Sequence, residues 1–258
     1  MRVPAQPTRP ATLIPLLRLA LLATLAAALE AACRARYIAP TNIIPPTEMA
    51  TALYALLKSG AATDDLLATL SRVAAAAAIS AAAGLAAALL LHAHPRLRAA
   101  LQPVLSSWYA IPTVMFYPVL IVAFGAGAGS IIAIAVLLAA VAMLTSTLAG
   151  LDRVPPVLLR TARAMNLPKT QSTLRIRLPS AAPYLFTGLK LVVAYAFIGV
   201  IAAEFILSGS GLGYAIANAY NNFETPQMYG LMLLVILLVT TVNATLQTLD
   251  TTLRQRLA

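Results

Sequence analysis

Six stretches of about 20 predominantly apolar residues, the length that crosses a hydrocarbon core of about 30 Å, lie near 11–33, 66–91, 101–124, 129–150, 181–207 and 229–249. They predict an all-α protein with six transmembrane helices. The second and fifth are overlong and are expected to tilt or to project beyond the bilayer. Small residues crowd these runs, as in VAAAAAISAAAGLAAALLL. Helix backbones can therefore approach closely where lipid supplies no hydrophobic drive for association. No internal repeat is evident, so an inverted-repeat transporter gains no support.

Between the first two runs, TEMATALYALLKSG at 47–60 puts Met49, Leu53, Leu56 and Leu57 on one helical face. Thr47 is placed to cap this helix, which is expected to lie flat on the membrane surface. Thr63, Asp64 and Asp65 are read as caps for the next span. Between the fourth and fifth runs, VLLRTARAMNLPKTQSTLRIRLP at 157–179 is basic and mixed in polarity. Pro155 and Pro156 suit a helix start, and Leu158, Ala162 and Met165 recur at helical spacing with Arg160 and Arg163 on another face. Asn166 interrupts, Pro168 starts a second short helix, and Pro179 marks entry to the fifth span. Charge and periodicity alone leave two readings open, a rigid peg against another protein or a basic hairpin on lipid headgroups.

Composition settles the solvent. With 60% hydrophobic residues, 10% charged and a mean hydropathy of +0.85, the chain exceeds the roughly 45–50% apolar share of soluble domains and is an integral membrane protein. The net charge of +10 does not point to nucleic acid, because the basic residues flank apolar runs and are not interleaved with stacking aromatics. Their placement instead orients the chain in the bilayer. Six spans put both termini on one side together with Arg2, Arg9, Arg96, Arg98, Arg153, Arg160, Arg163, Lys169, Arg175, Arg177, Arg254 and Arg256. The other side holds Arg34, Arg36 and Lys58, a balance of 12 against 3. Positive loops stay in the cytoplasm, so both termini are expected there. Arg2 and Arg9 precede a run long for a signal core, so a retained anchor is expected in place of a cleaved leader. Glu30 occupies a position where a lipid-modified Cys33 would want an apolar residue, and a lone cysteine offers no intrachain disulfide.

Few residues suggest chemistry. Glu204, near the outer end of the fifth span, needs a polar neighbour at membrane depth. Pairing with Arg72 of the second span is expected ahead of a place on the transport path, where a carboxylate would repel an anion. Lys190 is expected to snorkel toward the cytoplasmic surface, with a path-facing role as the alternative. GSGLG, with Gly209, Gly211 and Gly213, lacks the Lys-Ser/Thr of a phosphate loop and reads as a flexible turn at an outer gate or against a binding protein. His92 and His94 read as interfacial polar residues with no third ligand to complete a metal set. Trp108 and Tyr109 read as packing or interface anchors, and Asn243 and Gln247 as hydrogen-bonding groups facing a neighbouring span or a second copy.

The segment Arg160-Thr161-Ala162, three residues, Asn166, nine residues, then Ile176-Arg177-Leu178-Pro179 resembles the permease subunits of bacterial ABC importers, the binding-protein-dependent transport system inner-membrane components. They carry E-A-A, three residues, G, nine residues and I-x-L-P. The register is intact, while Arg160 replaces the Glu and Asn166 the Gly; Asn is the next residue after Gly to tolerate a left-handed backbone. The resemblance covers about residues 40 to 256. It includes TLSRV at 69–73, YAIPTVMFYPVLIVAFGAG at 109–127 and AAEFILSGSGLGYAI at 202–216. It is closest to the branch of nitrate, taurine, aliphatic sulfonate, bicarbonate and thiamine-precursor importers.

That resemblance implies a type I ABC-importer permease bundle with a cytoplasmic coupling-helix loop. It divides the chain into a cytoplasmic N-terminus and first span (1–33), an outer loop (34–63), a permease core (64–250) holding the coupling loop (151–180), and a cytoplasmic tail (251–258). It implies as partners a dimer of ABC ATPases, a second permease copy, and an extracytoplasmic substrate-binding protein. The second copy is expected to be identical, with a different permease as the alternative. ATP and Mg belong on the ATPase, and no cofactor is expected on this chain, which lacks G-x-x-x-x-G-K-[ST]. The resemblance assigns ATPase coupling to Arg160, Thr161, Ala162, Arg163, Asn166 and Leu167, with Ile176, Leu178 and Pro179 fixing the peg to the next span. A small anion is the first expectation for cargo and a vitamin precursor the second. The rival classes are an intramembrane enzyme, for which no catalytic constellation is visible, and an ATP-independent secondary transporter or channel.

Overall fold

The computed structural model describes the backbone of residues 13–39 and 41–257, and side chains over 16–39, 41–168 and 170–251. Arg2 and Arg9 of the charge count lie outside the described residues, as do the side chains of Lys169, Arg254 and Arg256. Within that range the chain is helical. In order the helices are α1 (Leu13–Arg34), α2 (Pro46–Ser59), α3 (Thr63–Ala93), α4 (Pro95–Ser107), α5 (Tyr117–Phe124), α6 (Ala128–Asp152), α7 (Pro156–Ala164), α8 (Lys169–Ser172), α9 (Leu178–Leu207), α10 (Leu212–Asn221) and α11 (Thr225–Leu257). Five spans are continuous: those of α1, α3, α6, α9 and α11. The segment 251–258, expected as a cytoplasmic tail, is helical as far as Leu257 in continuation of α11.

The third expected span, 101–124, is not one helix. Its apolar length is divided between α4 and α5, joined by short turns at Trp108–Ala110 and Thr113–Phe116, and the two halves bend by 101°. Pro112 explains the break. It lacks an N–H and disfavours helical geometry in the residue before it, and Ile111 is accordingly extended at φ −87°, ψ 119°. The eight residues of α5 reach only about 12 Å, so a sixth crossing requires the bent pair together.

The core is the contact of α3, α6 and α9. Val73 and Ala76 of α3, Ile131, Ile134 and Ala135 of α6, and Ala196, Phe197 and Val200 of α9 form one buried cluster. Small residues set the spacing: a Cβ on Gly84 of α3 would lie 2.5 Å from the Ala140 carbonyl oxygen and 2.6 Å from Met143 Cβ. In lipid such close packing is a main source of helix association.

The loop helix α2 departs from the expectation of a surface-lying element. Leu53 is buried with Leu212, Ile216 and Leu231, so this face meets α10 and α11, leaving Tyr54 and Leu57 exposed. Thr47 is not its cap. Its N–H and hydroxyl both donate to the Glu30 carboxylate, at 3.1 and 2.8 Å, and Arg34 donates to the same group at 2.6 Å. An acid of α1 thus satisfies an orphan amide in the first turn of α2.

Candidate functional site: a peg at one end and a buried lock at the other

The peg begins at Pro156, where a missing N–H costs nothing because the first turn has no intrahelical partner for it. It ends in a left-handed turn. Asn166 has φ +52°, its N–H donates to the Arg163 carbonyl at 3.0 Å, and the Leu167 N–H reaches back to the Ala162 carbonyl at 3.0 Å. This is the Schellman closure that normally selects Gly. Asn166 adopts the left-handed backbone here without the glycine of the related motif.

Beyond it the expected second peg helix is not separate. The four residues of α8 run into a wide π-type turn over Thr173–Arg177, with the Leu178 N–H donating to the Thr173 carbonyl, and this continues as α9. Pro179 lies in the first turn of α9, at the entry to the fifth span as expected. A proline in a helix removes one bond and collides with the carbonyl four residues back; a locally widened turn relieves that collision. The wide turn thus joins α8 to a 30-residue span without a loop, while residues 165–168 form a turn between α7 and α8.

On the peg, Ala162 is buried, whereas Val157, Leu158 and Met165 are exposed at 66%, 39% and 65%. The anticipated common face of Leu158, Ala162 and Met165 is thus split, with one member turned inward. Arg160, Thr161, Arg163 and Asn166 are exposed, and Leu167 and Ile176 half-buried.

Polar side chains brace this end of the bundle. Arg98 of α4 grips Asp152 of α6 through two bonds of 2.7 and 2.6 Å. His92 of α3 has Nδ1 3.8 Å from Asp152 and accepts from Arg177 at Nε2, tying the wide turn to α3. The Arg153 guanidinium donates to the Tyr184 hydroxyl at 2.6 Å, which holds its pKa above the ordinary value. Lys190 of α9 is bound to Asp250 of α11 at 2.7 Å with its side chain 31% exposed, so it is held in an ion pair in place of free snorkelling. Sequence reading gave no partner to Asp152, Asp250 or Arg98, since each bond joins different helices.

At the opposite end, Arg72 and Glu204 meet. Glu204 is fully buried; its Oε1 accepts from Arg72 at 2.7 Å, and its Oε2 from the Thr69 hydroxyl at 2.8 Å and the Gly213 N–H at 3.1 Å. Arg72 also donates to the Ser210 carbonyl and hydroxyl at 2.8 and 2.6 Å. The Leu212 N–H donates to Thr69, and the Gly211 N–H to Asp65 at 2.6 Å. Asp65 thus holds the 208–213 loop and is not a cap, as no side chain caps α3. Of the first amides of α10, that of Gly213 meets the Glu204 carboxylate, where the helix dipole favours negative charge.

The glycine-rich loop is therefore pinned, contrary to the expected flexible turn. Gly209 is exposed, but Gly211 and Gly213 are buried. Gly211 has φ +101°, and a Cβ there would run into the Glu204 carboxylate. Trp108 donates to the Leu137 carbonyl at 2.8 Å and the exposed Tyr109 stacks on Tyr195 at 5.4 Å, so both pack against neighbouring helices.

Asn166 yields a direct expectation. Asn166→Gly preserves the turn, whereas Asn166→Val forces a β-branched residue into the left-handed region at a cost of about 1–3 kcal/mol. Hydrogen exchange at the Leu167 amide measures this. Protection is retained in the first variant and lost in the second.

The family described as binding-protein-dependent transport system inner membrane component matches residues 80–258. The chain is 36% identical over 192 residues to the riboflavin transport system permease protein of Chloroflexus aurantiacus, covering 74% of this chain and 71% of that one. It is 27% identical over 186 residues to the nitrate import permease protein of Synechococcus elongatus, covering 70% and 67%. It is 32% identical over 149 residues to a probable ABC transporter permease protein of Haemophilus influenzae, covering 58% of this chain and spanning 61% of that protein's length. Among solved structures, an inward-facing MetNI methionine ABC transporter chain superposes with a TM-score of 0.66 at 18% identity, covering 73% of this chain and 94% of that one. At that identity the likeness is one of fold.

Proposed function

This chain belongs to the binding-protein-dependent transport system inner membrane components, and from that premise we propose that it forms the membrane pathway of an ATP-driven importer, takes force through residues 157–179 and performs no covalent chemistry. The observation that carries the reading is the peg itself. It presents Val157, Leu158 and Met165 to solvent around Arg160, an apolar surface with no partner in the described chain. It leads through the turn at 165–168 and α8 into the wide turn that continues as α9.

A push on the peg is transmitted along α9. From Leu178 to Glu204 the helix spans about 39 Å at 1.5 Å per residue, so displacement at one end reaches the Arg72–Glu204 lock at the other. In this reading the peg is cytoplasmic, consistent with the basic residues gathered at its end, and both termini share that side. Two permease copies, identical in the simplest assembly, enclose the path. A dimer of ABC ATPases binds ATP and Mg beneath them. A binding protein delivers cargo to the outer face near the 209–213 loop.

The cargo is a small solute. Relatives named for nitrate and bicarbonate import favour an inorganic or small organic anion. The relative named for riboflavin transport keeps a vitamin-like cargo as the second reading.

Capture of the ATPase tests the reading. Leu158→Asp with Met165→Asp buries charge in the proposed contact, and each desolvated, unpaired charge costs several kcal/mol. A nucleotide-hydrolysing subunit should co-purify with the unaltered chain and fall at least about tenfold in the double variant. Recovery of an intact chain with no such subunit, under conditions that preserve membrane complexes, would favour the secondary transporter or intramembrane enzyme.

A further inference from the structure

The inner side of the peg and the end of α3 line an open cleft of about 780 Å³, within the range of about 300–1,000 Å³ typical of small-ligand sites. Its polar wall comes from three segments: His92 from α3, Arg163 from α7, and Arg177 with Thr170 and Thr173 from the turn leading into α9. Leu89, Leu159 and Leu174 supply an apolar wall. No carboxylate lines it among the described residues; Asp152, beside His92, gives both oxygens to Arg98. Arg163 uses only its Nε, on the Leu159 carbonyl at 3.3 Å. Among the described residues its two terminal nitrogens have no partner, and they form the fork that suits a phosphate.

Cationic donors and hydroxyls without an opposing acid select an anion, and the leucines select an anion that carries an apolar body. The cavity also sits where α3 ends at Ala93 and α9 begins at Leu178, at the boundary between apolar span and water. Basic pockets between helices at that depth hold lipid headgroups. We infer that this cavity is a site for a phosphate-bearing anion, filled by the headgroup of an anionic phospholipid whose glycerol and upper acyl carbons lie on Leu89, Leu159 and Leu174. An occupant there touches both the peg and α3, and so stiffens the link between the force-receiving segment and the bundle.

The test is native mass spectrometry of the full chain purified from membranes in non-ionic detergent with the partners that accompany it, titrated with phosphatidylglycerol or phosphatidylcholine. The expected result is retention of phosphatidylglycerol roughly tenfold above phosphatidylcholine, the scale of one charge-assisted contact. That preference should be lost in Arg163→Gln, partly restored in Arg163→Lys, and unaffected by Arg96→Gln. Inorganic phosphate that displaces the lipid with the same Arg163 dependence would uphold the phosphate site and make its source soluble. Equal retention of the two lipids, or an Arg163→Gln variant that keeps its preference, would overturn the site. The readout is lipid mass, so ATPase recruitment can fail while the site stands, and the reverse.

Discussion

Arg72→Ala is expected to lower the stability of the detergent-solubilised chain by about 3–5 kcal/mol, because removing one partner of a buried ion pair strands the other charge. Glu204 has no exposure and no second cation in contact, so its carboxylate would keep only the Thr69 hydroxyl and Gly213 amide. Glu204→Ala should cost a similar amount by stranding Arg72. Replacing both, as Arg72→Ala with Glu204→Ala, leaves neither charge stranded and should cost less than the sum of the two single losses. The non-additivity is expected at about 1–3 kcal/mol, as for residues in direct contact. Denaturant titration of the four proteins measures it. Purely additive losses would mean that the two residues contribute independently and that the lock is not a unit.

Gly84→Val is the second large effect. The new Cβ would meet a backbone carbonyl at 2.5 Å and the Met143 Cβ at 2.6 Å, and neither can swing away as a flexible side-chain tip can. The α3 and α6 backbones must separate, which opens the cluster around Ala88, Leu144 and Leu148 beside it. Overpacking of this kind costs about 1–3 kcal/mol and at times more, and the backbone collision places this site at the upper end. Gly84→Ala makes the same collision with less bulk. The midpoint of unfolding should fall in the order Gly, Ala, Val, with assembly lost in the last.

The spans could be read from sequence because lipid fixes their length and demands near-continuous apolarity, which marks α1, α3, α6, α9 and α11. The third run failed as a single helix although its signal was present: Pro103, Pro112 and Pro118 punctuate it, and apolar length alone outweighed them. Glu204 and Arg72 could be linked because an acid at membrane depth must find a partner. Thr69, Asp65, Ser210 and the amides of 211 and 212 could not, since they join residues more than 130 positions apart through geometry that no local pattern encodes. The peg was legible through its register of Ala162, Asn166 and Pro179. The continuity of α8 with α9 was not, because a π-type turn has no sequence signature beyond the proline it accommodates.

The two ends explain each other. Arg177 fastens the wide turn to His92 of α3 and Arg98 of α4 fastens Asp152 of α6, while Glu204 fastens the far end of α9 to α3. A bundle clamped at both ends of one long helix moves as a body, which suits a lever better than a loose connector. Lys190 and Asp250 add α11 to the same body.

Proteoliposomes holding this chain, its binding protein and cargo, with and without the ATPase, test the central claim most directly. Uphill accumulation should require the ATPase and ATP, and should disappear in the Leu158→Asp, Met165→Asp peg variant although that protein still reconstitutes. Accumulation against a gradient by the chain without the ATPase, or undiminished transport by the peg variant, would contradict it.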